Sequence, residues 1–277
     1  MIRGTTLLIA HLGYPTEAFK APMIYNPWFE QAGVDAVVVP MAVRAEHYAT
    51  FLRPLFRLEN VHGALVTMPH KVTTAALLDE VTPTVRVAGA CNAIVKRPDG
   101  SLAGDMFDGE GFVRGVLRKG RALAGARALV VGAGGVGSAI AASLAAAHVA
   151  ALALFDTRAD AAEQLAHRLR EHYPQLDVRT GSNDPKGYDI VVNATPLGMN
   201  AGDPLPFDAE SLTPGTLVGE VVMKEEYTPL LRAAAARGCP VQVGTDMLYE
   251  MIPAYLEFFG FPTTTPDVLR AVSRIRY

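Results

Sequence analysis

The run LVVGAGGVGSAI, from Leu129 to Ile140, constrains the fold more than any other stretch of the chain. An apolar, strand-like segment meets Gly132, Gly134 and Gly137, and an alanine-rich, helix-forming segment follows at once. Glycines in this G-x-G-x-x-G spacing serve three ends. The first permits a tight turn, the second lets a ligand approach the backbone, and the third lets helix and strand pack closely. A helix begun this way directs free backbone N–H groups and the positive end of its dipole at whatever lies before the turn. The expected ligand is a pyrophosphate, held by Gly132, Gly134, Gly135, Val136 and Gly137.

The next strand-like run, VAALALF from Val149 to Phe155, ends on Asp156. That is about twenty residues past the glycines, where an acidic residue hydrogen-bonds the ribose hydroxyls of a dinucleotide. A carboxylate there repels a 2′-phosphate, so NAD is the expected cofactor. NADP is the second option, because Arg158 can recruit a phosphate. The competing structural reading makes Asp156 only the cap of a helix beginning near Ala159.

Composition fits an enzyme of this kind: 277 residues, 50% hydrophobic, 19% charged, net charge −3. The length suggests two domains. No basic patch dominates, so nucleic acid is not an expected partner. Cys91 and Cys239, the only cysteines, lack metal-ligand spacing and fit a reducing interior rather than a disulfide framework. The run MIRGTTLLIAHLG is too short in apolar residues for a signal peptide and reads as a first strand. No segment approaches the roughly eighteen uninterrupted apolar residues a bilayer span needs. The cytoplasm is the expected address, without membrane association. Neither a monomer nor a homodimer is singled out.

Short apolar runs alternate with amphipathic ones through the first hundred or so residues. TTLLIA is followed by a helix over Ala21–Ala32, a strand in VDAVVVPMAV, a helix near Ala45–Arg57 and a strand in VHGALVTMP. RPDGS, Arg97–Ser101, splits AIVK from LAG as a hairpin-like pair. A helix at Gly109–Arg118 leads to the glycine-motif strand, and strands follow in YDIVVNATP, TLVGEVV and VQVG. The tail is helical by pattern over Met247–Phe259 and Pro266–Arg276. The fold class is α/β: an N-terminal substrate domain over 1–104, completed by helices in 245–277, and a doubly wound parallel-sheet dinucleotide-binding domain over 105–244.

Three polar residues, Lys71, Asn92 and Asp108, stand beside predicted strand ends. Moving a hydride between an alcohol and a nicotinamide also requires a group that takes or returns the hydroxyl proton within hydrogen-bond reach. A lysine paired with an aspartate meets that need, and an asparagine can bridge substrate hydroxyls to it. The bland alternative is two solvated charges and a turn-capping asparagine. His70 beside Lys71 does not make a metal site, since the seven histidines form no HxxxH or Cys/His cluster. Ser138 lacks a G-x-S-x-G elbow, which argues against hydrolase chemistry.

VTMPHK at 66–71, GACNAIV, GDMFDG, GAGGVG, NATPLGM at 193–199, TPLLRAA at 228–234 and GTDMLYE at 244–250 together resemble the shikimate/quinate dehydrogenase family over nearly the whole chain. The resemblance implies a catalytic pair at Lys71 and Asp108 and substrate contacts from Thr67 and Asn92. It places the nicotinamide against Asn193, Ala194, Thr195 and Val221, with Gly244 and Met247 on its carboxamide side. Departures from the pattern cluster at the substrate positions. Phe19 and Ala21 replace two serines that hold the shikimate carboxylate in the family, with Lys20 between them as a candidate replacement donor. Glu250 replaces a glutamine, Met223 a tyrosine, and Met106–Phe107 an Asn-Thr pair. Losing the amide donor at 250 and adding a negative charge opposes a substrate carboxylate; pairing of Glu250 with a base is the plainer account. The resulting expectation is an NAD-dependent dehydrogenase acting on a ring alcohol of a cyclic polyol or hydroxy acid other than shikimate. An ordinary shikimate or quinate dehydrogenase is the alternative, and a catalytically silent NAD-binding regulator is the alternative of another class.

Overall fold

The computed structural model describes residues 2–276, which divide into two compact units. One contains the chain up to Phe107 together with Tyr249–Arg276; the other runs from Asp108 to Leu248. The divisions fall a few residues beyond the expected 104 and 244.

The first unit is built on a six-stranded mixed sheet. In chain order its elements are β1 (Leu7–Gly13), α1 (Pro22–Ala32), β2 (Ala36–Ala42), α2 (Ala45–Leu55), β3 (Val61–Val66), α3 (Lys71–Ala75), β4 (Glu80–Val81), α4 (Pro83–Ala88), β5 (Ala93–Lys96) and β6 (Leu102–Asp105). The strand order is β2-β1-β3-β5-β6-β4, with β1 parallel to both neighbours and β5 antiparallel to β3 and β6. The RPDGS turn thus makes the expected hairpin. Local chemistry sets the helix limits: α1 has proline in its first turn and stops at Gly33, whose φ of 67° is readily available only to glycine. Thr82 caps α4 by accepting from the Val85 N–H, and Gly89 ends it the same left-handed way.

The second unit contains α5 (Asp108–Arg118), β7 (Arg127–Val131), α6 (Gly135–Ala146), β8 (Ala151–Phe155), α7 (Ala159–His172), β9 (Asp177–Thr180), β10 (Ile190–Asn193), β11 (Leu217–Glu220), α8 (Pro229–Ala236) and β12 (Val241–Gln242). Its sheet is wholly parallel in the order β12-β11-β10-β7-β8-β9. Successive strands run outward in both directions from the β7/β10 junction, so the glycine turn after β7 lies at the point where the winding reverses. In doubly wound sheets that junction is where the crevice for a nucleotide opens. Helices on both faces explain why Leu129, Val130, Leu152, Val191 and Val218 form nearly continuous buried runs.

Two helices close the chain, α9 (Gly244–Phe258) and α10 (Pro266–Val272). The last helix, Pro266–Val272, is shorter than the expected Pro266–Arg276. Ser273 turns extended at φ −62°, ψ 149°, and the Arg274 N–H donates to the Met23 carbonyl 2.8 Å away instead of continuing the helix. Among the described residues no helix is long and apolar enough to cross a membrane.

Candidate active site

In the first unit the polar residues singled out by the sequence gather at the ends of β1 and β3. Thr67 follows β3 directly, its N–H donating to the Leu12 carbonyl at 2.9 Å. Its methyl and the Phe19 ring crowd Gly13 so closely that a β-carbon there would sit 2.5 Å from Thr67 Cγ2 and 2.7 Å from Phe19 Cζ. Lys71 opens α3 and is buried, 8% exposed. Its carbonyl accepts from the Cys91 N–H at 2.9 Å, which ties Lys71 to the residue before Asn92. Asn92 is a junction: its carbonyl accepts from Val66 N–H and from the Tyr255 hydroxyl, while its Oδ1 accepts from Phe107 N–H at 3.0 Å. The amide nitrogen of Asn92 is buried with no hydrogen-bond partner in the protein. A buried donor left in that condition costs about 1–3 kcal/mol.

His11, in β1, was not among the sequence candidates. It is buried, and its ring stacks on Phe19 with centroids 4.0 Å apart and planes at 29°. Burial, reinforced by the charge of Lys71, drives its pKa down to about 3. His70, by contrast, is a core residue, stacked on Tyr48 at 3.9 Å with Nε2 at 2.8 Å from the Val43 carbonyl. Ala21 is buried at the start of α1 and caps nothing with its side chain. Lys20 has an ammonium proton donated to the Arg276 carbonyl. Met106 and Phe107 are buried, and the Phe107 ring lies 4.7 Å from Tyr255 and 5.6 Å from Phe258. Glu250 is buried on α9.

In the second unit the glycine loop has the shape the spacing called for. A β-carbon on Gly137 would lie 1.8 Å from the Gly132 carbonyl oxygen, and one on Gly132 would lie 2.6 Å from the Ala194 oxygen. One on Gly134 would meet nothing within 4 Å. Two glycines therefore allow close packing and the third faces open space, as an approaching pyrophosphate requires; Gly135 and Val136 form the first turn of α6 behind it. The residues present fit a dinucleotide. Asp156 accepts from Ala133 N–H and from Arg158 N–H, each at 2.8 Å, so its carboxylate braces the loop at the end of β8. Arg158 Nε lies 3.6 Å from the same carboxylate, and its side chain is largely exposed. Asp108 is buried at the start of α5.

Asn193 and Thr195 belong to a buried network centred on a residue the sequence reading missed. Glu220, fully buried at the end of β11, accepts from Asn193 Nδ2 at 2.9 Å, Thr228 Oγ1 at 2.9 Å, and the Val221 and Val222 N–H groups at 2.9 and 3.0 Å. Burial pushes its carboxyl up, and these donors pull it partly back. Asn193 Oδ1 in turn accepts from Thr195 Oγ1 at 2.6 Å, which fixes the start of the loop containing Ala194. The available signal was one acid in the otherwise apolar run TLVGEVV. Gly244 leaves no room for a side chain against the Val222 carbonyl, 2.5 Å from its virtual β-carbon, and Met223 abuts it. Met247 is buried on α9. No group of three His, Cys, Asp or Glu among the described residues could hold a metal ion.

The model of the shikimate dehydrogenase substrate binding domain matches residues 12–94. A shikimate dehydrogenase (NADP(+)) of Paramagnetospirillum magneticum is 35% identical over 272 residues, covering 97% of this chain and 98% of the relative. The chain belongs to the shikimate dehydrogenase family. Two solved structures share the family fold from end to end. The shikimate 5-dehydrogenase of Listeria monocytogenes, in complex with shikimate and NAD, has a TM-score of 0.87 at 26% identity, covering 98% of this chain and 97% of that one. The ligand-free 5-ketofructose reductase of a Gluconobacter strain has a TM-score of 0.84 at 28% identity, covering 96% and 97%. Membership in the shikimate dehydrogenase family makes the chain an NAD(P)-dependent oxidoreductase.

Proposed function

We propose that the protein catalyses reversible hydride transfer between NAD and a ring secondary alcohol of a cyclic polyol or hydroxy acid other than shikimate. The observation that carries this reading is the anchor at residues 19–21. Where the family pattern has two serine hydroxyls, this chain has a phenyl ring stacked on an imidazole and a buried methyl group. A carboxylate bound there forgoes charge-assisted hydrogen bonds of about 1.5–3 kcal/mol each. Two such losses correspond to about two to four decades of affinity. Lys20 is a poor substitute, since its ammonium already serves the Arg276 carbonyl.

In this reading the first unit binds substrate and the second binds the dinucleotide, with Gly132–Gly137 at the pyrophosphate and Asp156 at the adenosine ribose. Asn193, Ala194, Thr195, Val221, Gly244 and Met247 border the nicotinamide, and Thr67, Asn92, Met223 and Glu250 line the substrate. Bound nicotinamide supplies the hydride donor or acceptor. Lys71 donates a proton to the carbonyl oxygen during reduction and takes it back from the hydroxyl during oxidation. Asp108 supplies the carboxylate of the proton-handling pair, and Asn92 Nδ2 donates to a substrate oxygen.

Initial rates with NAD and NADP against shikimate, quinate, their amino analogues and neutral cyclic polyols test this directly. Efficient turnover of shikimate or quinate by the unaltered protein would establish the ordinary family activity, a reading favoured by the full-length match to the Paramagnetospirillum enzyme. NAD binding without turnover of any alcohol would leave a silent regulator. The double variant Phe19→Ser/Ala21→Ser is expected to lower KM for shikimate by about tenfold or more, for the hydrogen-bond energies given above. An unchanged KM would show that the anchor does not govern substrate choice.

Cofactor choice follows from Asp156, whose charge opposes a 2′-phosphate. Asp156→Asn is expected to narrow the ratio of NADP to NAD dissociation constants by about tenfold, on the order of one removed charge repulsion, measured by fluorescence titration. A wild-type protein that already binds NADP more tightly would contradict the NAD preference and assign recognition of the phosphate to Arg158.

A further inference from the structure

The roles proposed for Lys71 and Asn92 leave His11, another buried polar side chain of the first unit, without one. His11 lies mid-sheet, paired in register with Pro40 on β2 and Leu65 on β3, and is 7% exposed. Its Nδ1 is buried and has no hydrogen-bond partner. Buried polar atoms in folded proteins are almost always satisfied, so an orphan of this kind calls for a reason. The ring is also held firmly: Phe19 stacks on one face at 4.0 Å, and the same Phe19 tip presses toward Gly13 and Thr67. An aromatic residue at 19 therefore does two things at once. It removes a hydroxyl from the carboxylate anchor and fixes an imidazole beside the vacated position.

We propose that His11 is a specificity-determining residue whose Nδ1 hydrogen-bonds an uncharged hydroxyl or carbonyl oxygen of the substrate. This deepens the functional reading above and rests on it, naming a neutral polyol or keto-sugar as the substrate class. The electrostatics agree. A carboxylate would pair best with an imidazolium, and burial together with the nearby Lys71 charge keeps His11 neutral, with a pKa near 3. A neutral imidazole offers either a donor or an acceptor according to its tautomer, which suits a hydroxyl that is itself both. Asn92 Nδ2, another buried polar atom of this unit with no hydrogen-bond partner, supplies a donor of the same uncharged kind. The chemistry these two groups present is that of amides and imidazoles facing hydroxyls, without a fixed cation reserved for an acid group.

The test begins with wild-type rates for reduction of 5-ketofructose and oxidation of myo-inositol, shikimate and quinate. It continues with His11→Phe, which keeps the stack and removes the nitrogens, and His11→Asn, whose amide reaches the position of Nδ1. For the neutral substrate that is turned over, His11→Phe is expected to lower kcat/KM by about tenfold or more, mainly through KM. NAD affinity should stay unchanged, the ligand-free Tm should not fall, because an unsatisfied group has been removed, and His11→Asn should recover part of the rate. A purely structural histidine would behave in the opposite way. Loss of rate together with a lowered Tm and no recovery in His11→Asn would overturn the inference, as would an unaltered kcat/KM in His11→Phe. A wild-type protein that turns over only shikimate and quinate, or none of the four, would overturn the functional reading and this inference with it. That outcome is distinguishable because it is seen before any variant is made.

Discussion

Replacing Lys71 with alanine is expected to lower kcat by roughly 100- to 10,000-fold, the usual worth of a positioned acid–base group. NAD binding should survive, because the residues proposed to hold the dinucleotide belong to the other unit. Lys71→Arg should not restore the rate, since a guanidinium does not give up its proton in the working pH range. A second readout comes from His11, whose pKa is depressed first by burial and then by the Lys71 charge. In Lys71→Ala the His11 resonances in NMR should titrate at higher pH than in the parent, yet still below the ordinary histidine value, because burial remains. Activity that persists largely undiminished in Lys71→Ala would remove it from the mechanism, whatever His11 does.

Alanine at Gly137 and alanine at Gly134 are expected to have different effects. At 137 the new methyl would lie 1.8 Å from the Gly132 carbonyl oxygen, a backbone atom with no flexible end to yield. Overpacking of this kind costs about 1–3 kcal/mol or more, so Tm should drop by several degrees and NAD affinity should fall with it. At 134 the methyl meets nothing within 4 Å, and φ of −76° is ordinary for alanine. Gly134→Ala should therefore keep its Tm while losing at least about tenfold in NAD affinity, if the open space there is where a pyrophosphate sits. Thermal denaturation and NAD titration on both variants decide the matter. Unimpaired NAD binding in Gly134→Ala would move the pyrophosphate elsewhere.

Much of this architecture could be read from the amino-acid order because the elements carrying it are long and periodic. The unbroken apolar strand before Gly132, the alanine-rich helix after it and the RPDGS turn each have one cheap local solution. The elements passed over were α3, α4, β4 and β9, of two to six residues each, too short to show a period, and α8, whose Thr228–Pro229 start was present but not used. The end of α10 was misjudged because a bond from Arg274 to Met23, distant in sequence, outcompetes one more helical turn. Among the candidate site residues, Lys71 and Asn92 were visible as polar residues beside apolar runs. His11 and Glu220 were not, because their meaning depends on partners brought by folding: a ring at Phe19 for one, and an amide 27 residues upstream at Asn193 for the other.

The first unit is assembled from two separated stretches of chain, and this has a consequence for how the molecule is made. On a ribosome, residues 108–248 have all been synthesised before 249–276 exist. The parallel sheet is drawn from that one continuous stretch, whereas the mixed sheet is complete only when Tyr255 has reached the Asn92 carbonyl and Arg274 has reached Met23. Domains complete in sequence tend to fold as they appear. The second unit can thus complete its fold without the tail, and the first cannot. Damage to the final helix should accordingly fall on the first unit alone, leaving the second folded while the first is prone to capture by chaperones.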